Sequence, residues 1–177
     1  MLLLRLSVYI CLHVGVMRLV IQRVKEASVH VDGRLISSIG KGVMVLVGLS
    51  RDDKQADLDY MCRKLLALRL FEDEEGKKWS KGVKDAQLEI LCVSQFTLYG
   101  ELKGNKLDFR KAMRAEISKE VYTGFVDSLR KAYCPDKIKD GEFGAMMDVS
   151  LVNDGPVTYN LETTPERQVS GAANDKE

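Results

Sequence analysis

The chain has 177 residues, 45% of them hydrophobic and 30% charged, with a formal net charge of +1. That is one domain of ordinary globular sequence, long enough to bury a real core, and its near-neutral balance excludes broad nucleic-acid binding through charge alone. The four cysteines, Cys11, Cys62, Cys92 and Cys134, form no CxxC pair and sit beside no histidine pair, so spacing offers neither a metal site nor a disulfide framework and points to reduced thiols.

Residues 1–16, MLLLRLSVYICLHVGV, are apolar with one arginine. A membrane span needs ~20 apolar residues, and no clear cleavage site follows for a signal peptide. Met17 opens a strand-like segment, so residues 1–16 read as a dispensable extension and 17–163 as the folded domain. Residues 18–31 alternate around Leu19, Ile21, Val24, Val29 and Val31, and Asp32-Gly33 then supplies a hairpin turn into RLISSIG. The run from Gly42 to Ser50 is continuously apolar, as a central strand buried on both faces requires. From Asp53 to Leu70 the period changes to three and four (Leu58, Met61, Cys62, Leu65, Leu66, Arg69), which predicts a helix capped by Asp53.

LRLFED reads as a strand, EEGKKWS as a turn around Gly76, and Gln87–Gly100 as one long β-prone strand. GELKGNKLDFRK is a glycine-punctuated basic loop. A second helix is predicted from Ala115 to Tyr133, its apolar face made of Ile117, Val121, Tyr122, Phe125, Val126 and Leu129, and Pro135 ends it. Alternation on both sides of Asn153-Asp154-Gly155-Pro156 predicts strand, tight turn, strand. Residues 164–177 are polar and aperiodic and read as a disordered tail. The sum is an α/β domain with mixed β-sheet layers and two main helices packed on the sheet.

Chemistry has few places to live. There is no Walker loop, GxGxxG, HExxH or GxSxG. Only His13 and His30 are present, so a histidine general base is nearly unavailable. One feature breaks the apolar pattern: SQFTL, Ser94 to Leu98, where polar residues end a buried strand. Buried polar groups need partners or a purpose. A strand end surfacing into solvent explains them; so does a cleft whose N–H groups and amide hold a carbonyl as an oxyanion hole does.

VSQFTLYG and NDGPVT, in that order and about 60 residues apart, resemble the two signature motifs of the D-aminoacyl-tRNA deacylases. MRLVIQRVKEASVHVDG, KGNKLDF and KDGEFGAMMDVSLVNDGPVT resemble the same family, so the likeness spans Met17 to Thr163. The resemblance implies a cytosolic homodimer that hydrolyses the ester joining a D-amino acid, or glycine, to the 3′ end of a tRNA, with no metal or other cofactor. It implies a cis Gly155-Pro156 bond reaching into the partner's pocket as a chirality gate, with Arg23 propping it. Ser94, Gln95, Phe96 and Thr97 would form the catalytic stretch, the backbone N–H groups of Phe96 and Thr97 and the Gln95 side chain holding the ester carbonyl and adenosine. The terminal 2′-hydroxyl would assist, and Thr97 would position rather than attack.

Lys103, Lys106 and Arg110 are the expected tRNA contacts. Leu107 stands where the family commonly has proline, which implies a more mobile loop. Two other functions fit the residues: a catalytically silent tRNA-binding module, and a serine or threonine hydrolase of small esters.

Overall fold

The structure is a computed structural model that describes residues 16–163, so the tail and all but Val16 of the N-terminal extension lie outside the described residues. The alternation at the start becomes β1 (Arg18–Val31), which buries Leu19, Ile21, Val24, Ala27 and Val29, its period of two broken on either side of Val24 where the register with its neighbour shifts. β2 (Arg34–Ile39) returns antiparallel along the second half of β1, and β3 (Gly42–Gly48) runs antiparallel along the first half. β4 (Glu89–Ser94) and β7 (Ile138–Asp140) follow β3 in parallel, giving the order β2-β1-β3-β4-β7. The Ser37 hydroxyl on β2 donates to the Asp140 carbonyl on β7 at 2.6 Å, which ties the two ends of this path and nearly closes the sheet.

Strand parity divides the core in two. Val43, Val45, Val47, Ile90 and Cys92 face the helices, against Met61, Leu65, Phe125 and Leu129. Met44, Leu91 and Val93 face inward, with Val24, Val29 and Ile39. β3 is therefore buried on both faces, as its unbroken apolar run requires.

The helices are α1 (Gln55–Ala67) and α2 (Ala115–Ala132). α1 is shorter than its periodicity suggests, and Arg69 falls beyond it. The expected cap, Asp53, does not cap it: Asp57 accepts from the Lys54 N–H at 2.9 Å, while the Asp53 carboxylate turns back to the Ser50 N–H at 2.7 Å. On α2, Ile117 is 55% exposed rather than on the buried face, because it sits one turn before the helix meets the core.

Four further expectations are corrected. LRLFED forms only an isolated bridge, Phe71 to Lys81. The long strand from Gln87 stops at Ser94, and a 3-10 helix, Phe96–Tyr99, follows. The basic loop is a small hairpin, β5 (Glu101–Lys103) and β6 (Lys106–Asp108), turning at Gly104, with Leu107 in β6 opposite Leu102. The closing hairpin does not exist. β8 (Asp148–Glu162) is one continuous strand, and both its halves pair antiparallel with β1. The turn chemistry at Gly155-Pro156 serves a wide bulge instead. Between Gln22↔Thr158 and Val24↔Asn153, two steps on β1 face five on β8.

Asp53 carries a testable consequence. One of its carboxylate oxygens is buried with no hydrogen-bond partner, and burial, reinforced by Asp57 and Asp52, pushes its pKa up from 3.8 to about 7. An acid whose pKa is raised on folding favours the folded state when protonated. This contribution is therefore full below pH ~4 and is lost as pH rises to about 7. Asp53→Asn keeps the acceptor for Ser50 and removes the buried charge. Its stability gain over wild type should grow from pH 4 to 7 and level off above, reaching about 1–2 kcal/mol. Urea midpoints across that range check it; a gain independent of pH would contradict the assignment.

Candidate active site

β4 runs out at Ser94, and the chain bends at Gln95 into the 3-10 helix. The bend is held from β3, where the Val47 carbonyl accepts from the Gln95 N–H at 2.8 Å. It is also held from β1: Arg18 Nη1 donates to the Leu98 carbonyl at 2.7 Å and its guanidinium lies 4.9 Å over the Tyr99 ring. The Tyr99 hydroxyl donates to the Val16 carbonyl. Close approach requires Gly48 beneath this turn, because a Cβ there would lie 3.0 Å from Leu98 Cβ and 3.2 Å from Tyr99 Cε2. The first N–H groups of a helix lack intrahelical acceptors, and here those belong to Phe96 and Thr97.

Beside this turn opens a cavity of about 990 Å³. Ser94, Gln95 and Phe96 line it from the strand end, and Phe143 and Met147 line it from the loop before β8. Phe96 is 58% exposed and meets Phe109 edge-on, with ring centroids 4.9 Å apart. Thr97 is not among the lining residues; its hydroxyl accepts from the Gln95 amide. Among the described residues no acid or histidine lines the cavity. His30, the one histidine among the described residues, sits on β1 opposite Leu35 and Asp148. Cys92 lies beneath, fully buried, its thiol pushed up to about 12 by desolvation.

Gly155 and Pro156 stand elsewhere. Their peptide bond is cis, and both residues are exposed on the β8 bulge. Arg23 fixes the bulge from β1: its Nε lies 3.2 Å from both the carbonyl and a carboxylate oxygen of Asp154, and its Nη1 donates to the Leu70 carbonyl at 2.6 Å. The chain's one tryptophan, Trp79, completes the cradle with its ring 5.9 Å from the same guanidinium. No motif pointed to Trp79, whose backbone adopts φ 59°.

The sheet register measures the separation between the two groups. Ser94 aligns through Val47 with Leu19, whereas the bulge lies opposite Arg23, four residues along β1 and three strands across from β4. At ~3.4 Å per residue and ~4.8 Å per strand this is on the order of 15–20 Å. Within one chain, Arg23, Gly155 and Pro156 come together, Ser94 to Thr97 come together, and the two groups do not meet.

The expected cations divide as well. Asp108 takes both Lys103 and Arg110 at 2.6 Å, and of the three only Arg110 lines the cavity. Lys106 makes no ion pair among the described residues and is not among the residues that line this cavity. Arg51 and Arg114, which sequence spacing did not single out, line the cavity with Arg110.

The model of the family described as D-Tyr-tRNA(Tyr) deacylase matches residues 20–162. A Drosophila melanogaster D-aminoacyl-tRNA deacylase is 58% identical over 160 residues, covering 90% of this chain and all of the relative. The Homo sapiens D-aminoacyl-tRNA deacylase 1 is 57% identical over 147 residues, covering 83% of this chain and 70% of the relative. Among solved structures, one titled c-Myc DNA Unwinding Element Binding Protein superposes with a TM-score of 0.81 at 56% identity, covering 83% of this chain and 99% of its own.

Proposed function

The chain belongs to the D-Tyr-tRNA(Tyr) deacylase family, and we propose that the cavity beside Ser94, Gln95 and Phe96 is where it hydrolyses its ester. It is a hydrolase, a D-aminoacyl-tRNA deacylase. Water adds to the ester carbonyl, the bond to the 3′-oxygen breaks, and the D-amino acid and the tRNA 3′-hydroxyl leave. Glycyl-tRNA is a second substrate of the same pocket, and the setting is the cytoplasm.

The observation that carries this reading is the helix start at the strand end. The Phe96 and Thr97 N–H groups are donors without intrahelical acceptors, and Phe96 itself lines the cavity, so this helix start is the nearest set of donors for an ester carbonyl held there. The Gln95 amide orients Thr97 and the adenosine, so Thr97 positions rather than attacks.

Chirality is read by Gly155 and Pro156 of a second copy. The register places them too far from the cavity of their own chain, and Arg23 holds them outward. The same strand supports a docking edge: β8 pairs with β1 alone among the described strands and exposes Val152 and Tyr159. In the homodimer, the gate carbonyls meet the substrate's α-ammonium and an L side chain collides with the bulge, so selection works by exclusion.

Deacylation of D- and L-aminoacyl-tRNA measured side by side tests the function, with sedimentation at the assay concentration to test the dimer. The expected result is hydrolysis of the D ester alone by a dimer. Binding of both esters without turnover would favour the silent tRNA-binding module, and equal turnover of small D and L esters would favour a general hydrolase.

A further inference from the structure

We infer that Arg51 and Arg114, with Arg110, form a phosphodiester subsite in the cavity, which takes the RNA strand immediately before the terminal adenosine. The inference rests on the proposed placement of the ester beside Ser94 to Phe96. Its starting point is a charge imbalance. The whole chain balances 27 basic residues against 26 acidic ones, yet among the described residues three arginines and no aspartate or glutamate line this cavity. Surface arginines scattered at random through such a chain would bring acids with them.

The three come from two segments: the turn after β3 carries Arg51, and the connection from β6 to α2 carries Arg110 and, at the N-cap position, Arg114. The fold brings the two segments together through a bridge between Ser50 and Ala112. They also differ in how far their charge is already compensated. Arg110 is held by Asp108 at 2.6 Å. Arg51 meets Asp52 only at 3.5 Å and leans an Nη1 on the Arg110 carbonyl at 3.4 Å. Arg114 makes no ion pair or side-chain hydrogen bond among the described residues, and it is exposed.

Guanidinium groups match phosphate oxygens in shape and charge. The cavity's volume lies at the upper end of the ~300–1,000 Å³ that ligand pockets span, which leaves room beyond one aminoacyl nucleoside. Apart from Ser94, Gln95 and Ser118 the remaining lining is apolar, from Phe96, Phe109, Met113 and Phe143 among others, and suits base and side-chain packing rather than more charge. Arg114 therefore contributes most, Arg51 next and Arg110 least.

The test compares two substrates of the intact enzyme: D-aminoacyl-tRNA, and the D-aminoacyl ester of adenosine, which has no phosphate. Arg114→Gln should raise KM for the tRNA roughly tenfold with kcat little changed, and its loss on the tRNA should exceed its loss on the nucleoside ester by about that factor. Arg114→Lys should recover most of the loss. The slope of log KM against log salt should fall by ~0.7 for each arginine removed. Thermal melting of the exposed-site variants should match wild type.

Equal losses on the two substrates, or an unchanged salt slope, would overturn the subsite. Micromolar competition by inorganic phosphate against the nucleoside ester would assign the arginines to a free anion instead of an RNA strand. A wild-type enzyme inert on D-aminoacyl-tRNA would defeat the underlying placement; an active one whose arginine variants behave as wild type would defeat this inference alone.

Discussion

Gly155→Ala will lower D-aminoacyl-tRNA turnover by roughly 100-fold or more while the sheet stays folded. Gly155 adopts φ 124°, where a side chain is strained in any surroundings. A Cβ there would meet Val157 Cγ2 at 3.0 Å, Arg23 Nη2 at 3.2 Å and the Val157 nitrogen at 3.2 Å. Two of these neighbours are side chains, but one is backbone of the bulge and one belongs to the guanidinium that holds Asp154. Relief therefore comes by moving the bulge, which is the element proposed to meet the substrate.

Such strain costs about 1–3 kcal/mol, against a domain stability of ~5–15 kcal/mol, so the fold survives. Gly33→Ala is the control, since Gly33 has φ 75° and nothing within 4 Å of a new Cβ. It should lose a comparable amount of stability and no turnover. If Gly155→Ala keeps turnover within twofold of wild type, the bulge is not a gate.

Sequence and structure agree where one physical constraint acts alone. β1 and β3 were legible because burial of one face, or of both, writes period two or an unbroken apolar run directly into the chain. α2 was legible because Tyr122, Phe125, Val126 and Leu129 return at three and four. β8 misled because the chemistry of Asn153 to Pro156 is local, whereas what decides its course is distant. β1 is 14 residues long and pairs with both halves of β8, so a continuous strand with a bulge satisfies more backbone groups than a hairpin would. β7 has three residues, too few for any period, and sits in parallel beside β4 only once α2 has crossed the sheet.

The candidate site divides in the same way. Ser94 to Thr97 stood out because polar residues interrupt an apolar strand. Arg51, Arg114 and Trp79 carried no such mark. Arg51 matters through Arg110 and Arg114, and Trp79 through Arg23, and no local spacing encodes either meeting.

A D-aminoacyl-tRNA that ends in 2′-deoxyadenosine will be cleaved roughly 100-fold or more slowly than the natural substrate, the size of effect a lost general acid–base group gives. The protein leaves that role open. Among the described residues no carboxylate or imidazole lines the cavity. His30 lies 11 residues beyond Leu19 along β1, and Leu19 aligns with Ser94 through Val47, so the imidazole is ~35 Å away along the strand. The Cys92 thiol is buried and stays protonated near neutral pH. Thr97 Oγ1 already accepts from the Gln95 amide and has no base to activate it. In the proposed mechanism the vicinal 2′-hydroxyl of the substrate passes a proton from the attacking water to the departing 3′-oxygen, and the Phe96 and Thr97 N–H groups are the proposed holders of the oxyanion. Thr97→Ala should accordingly retain measurable turnover, within about tenfold of wild type. Undiminished cleavage of the deoxy substrate would remove the 2′-hydroxyl from the mechanism. A Thr97→Ala enzyme that binds substrate at wild-type affinity and turns over none would make Thr97 the nucleophile.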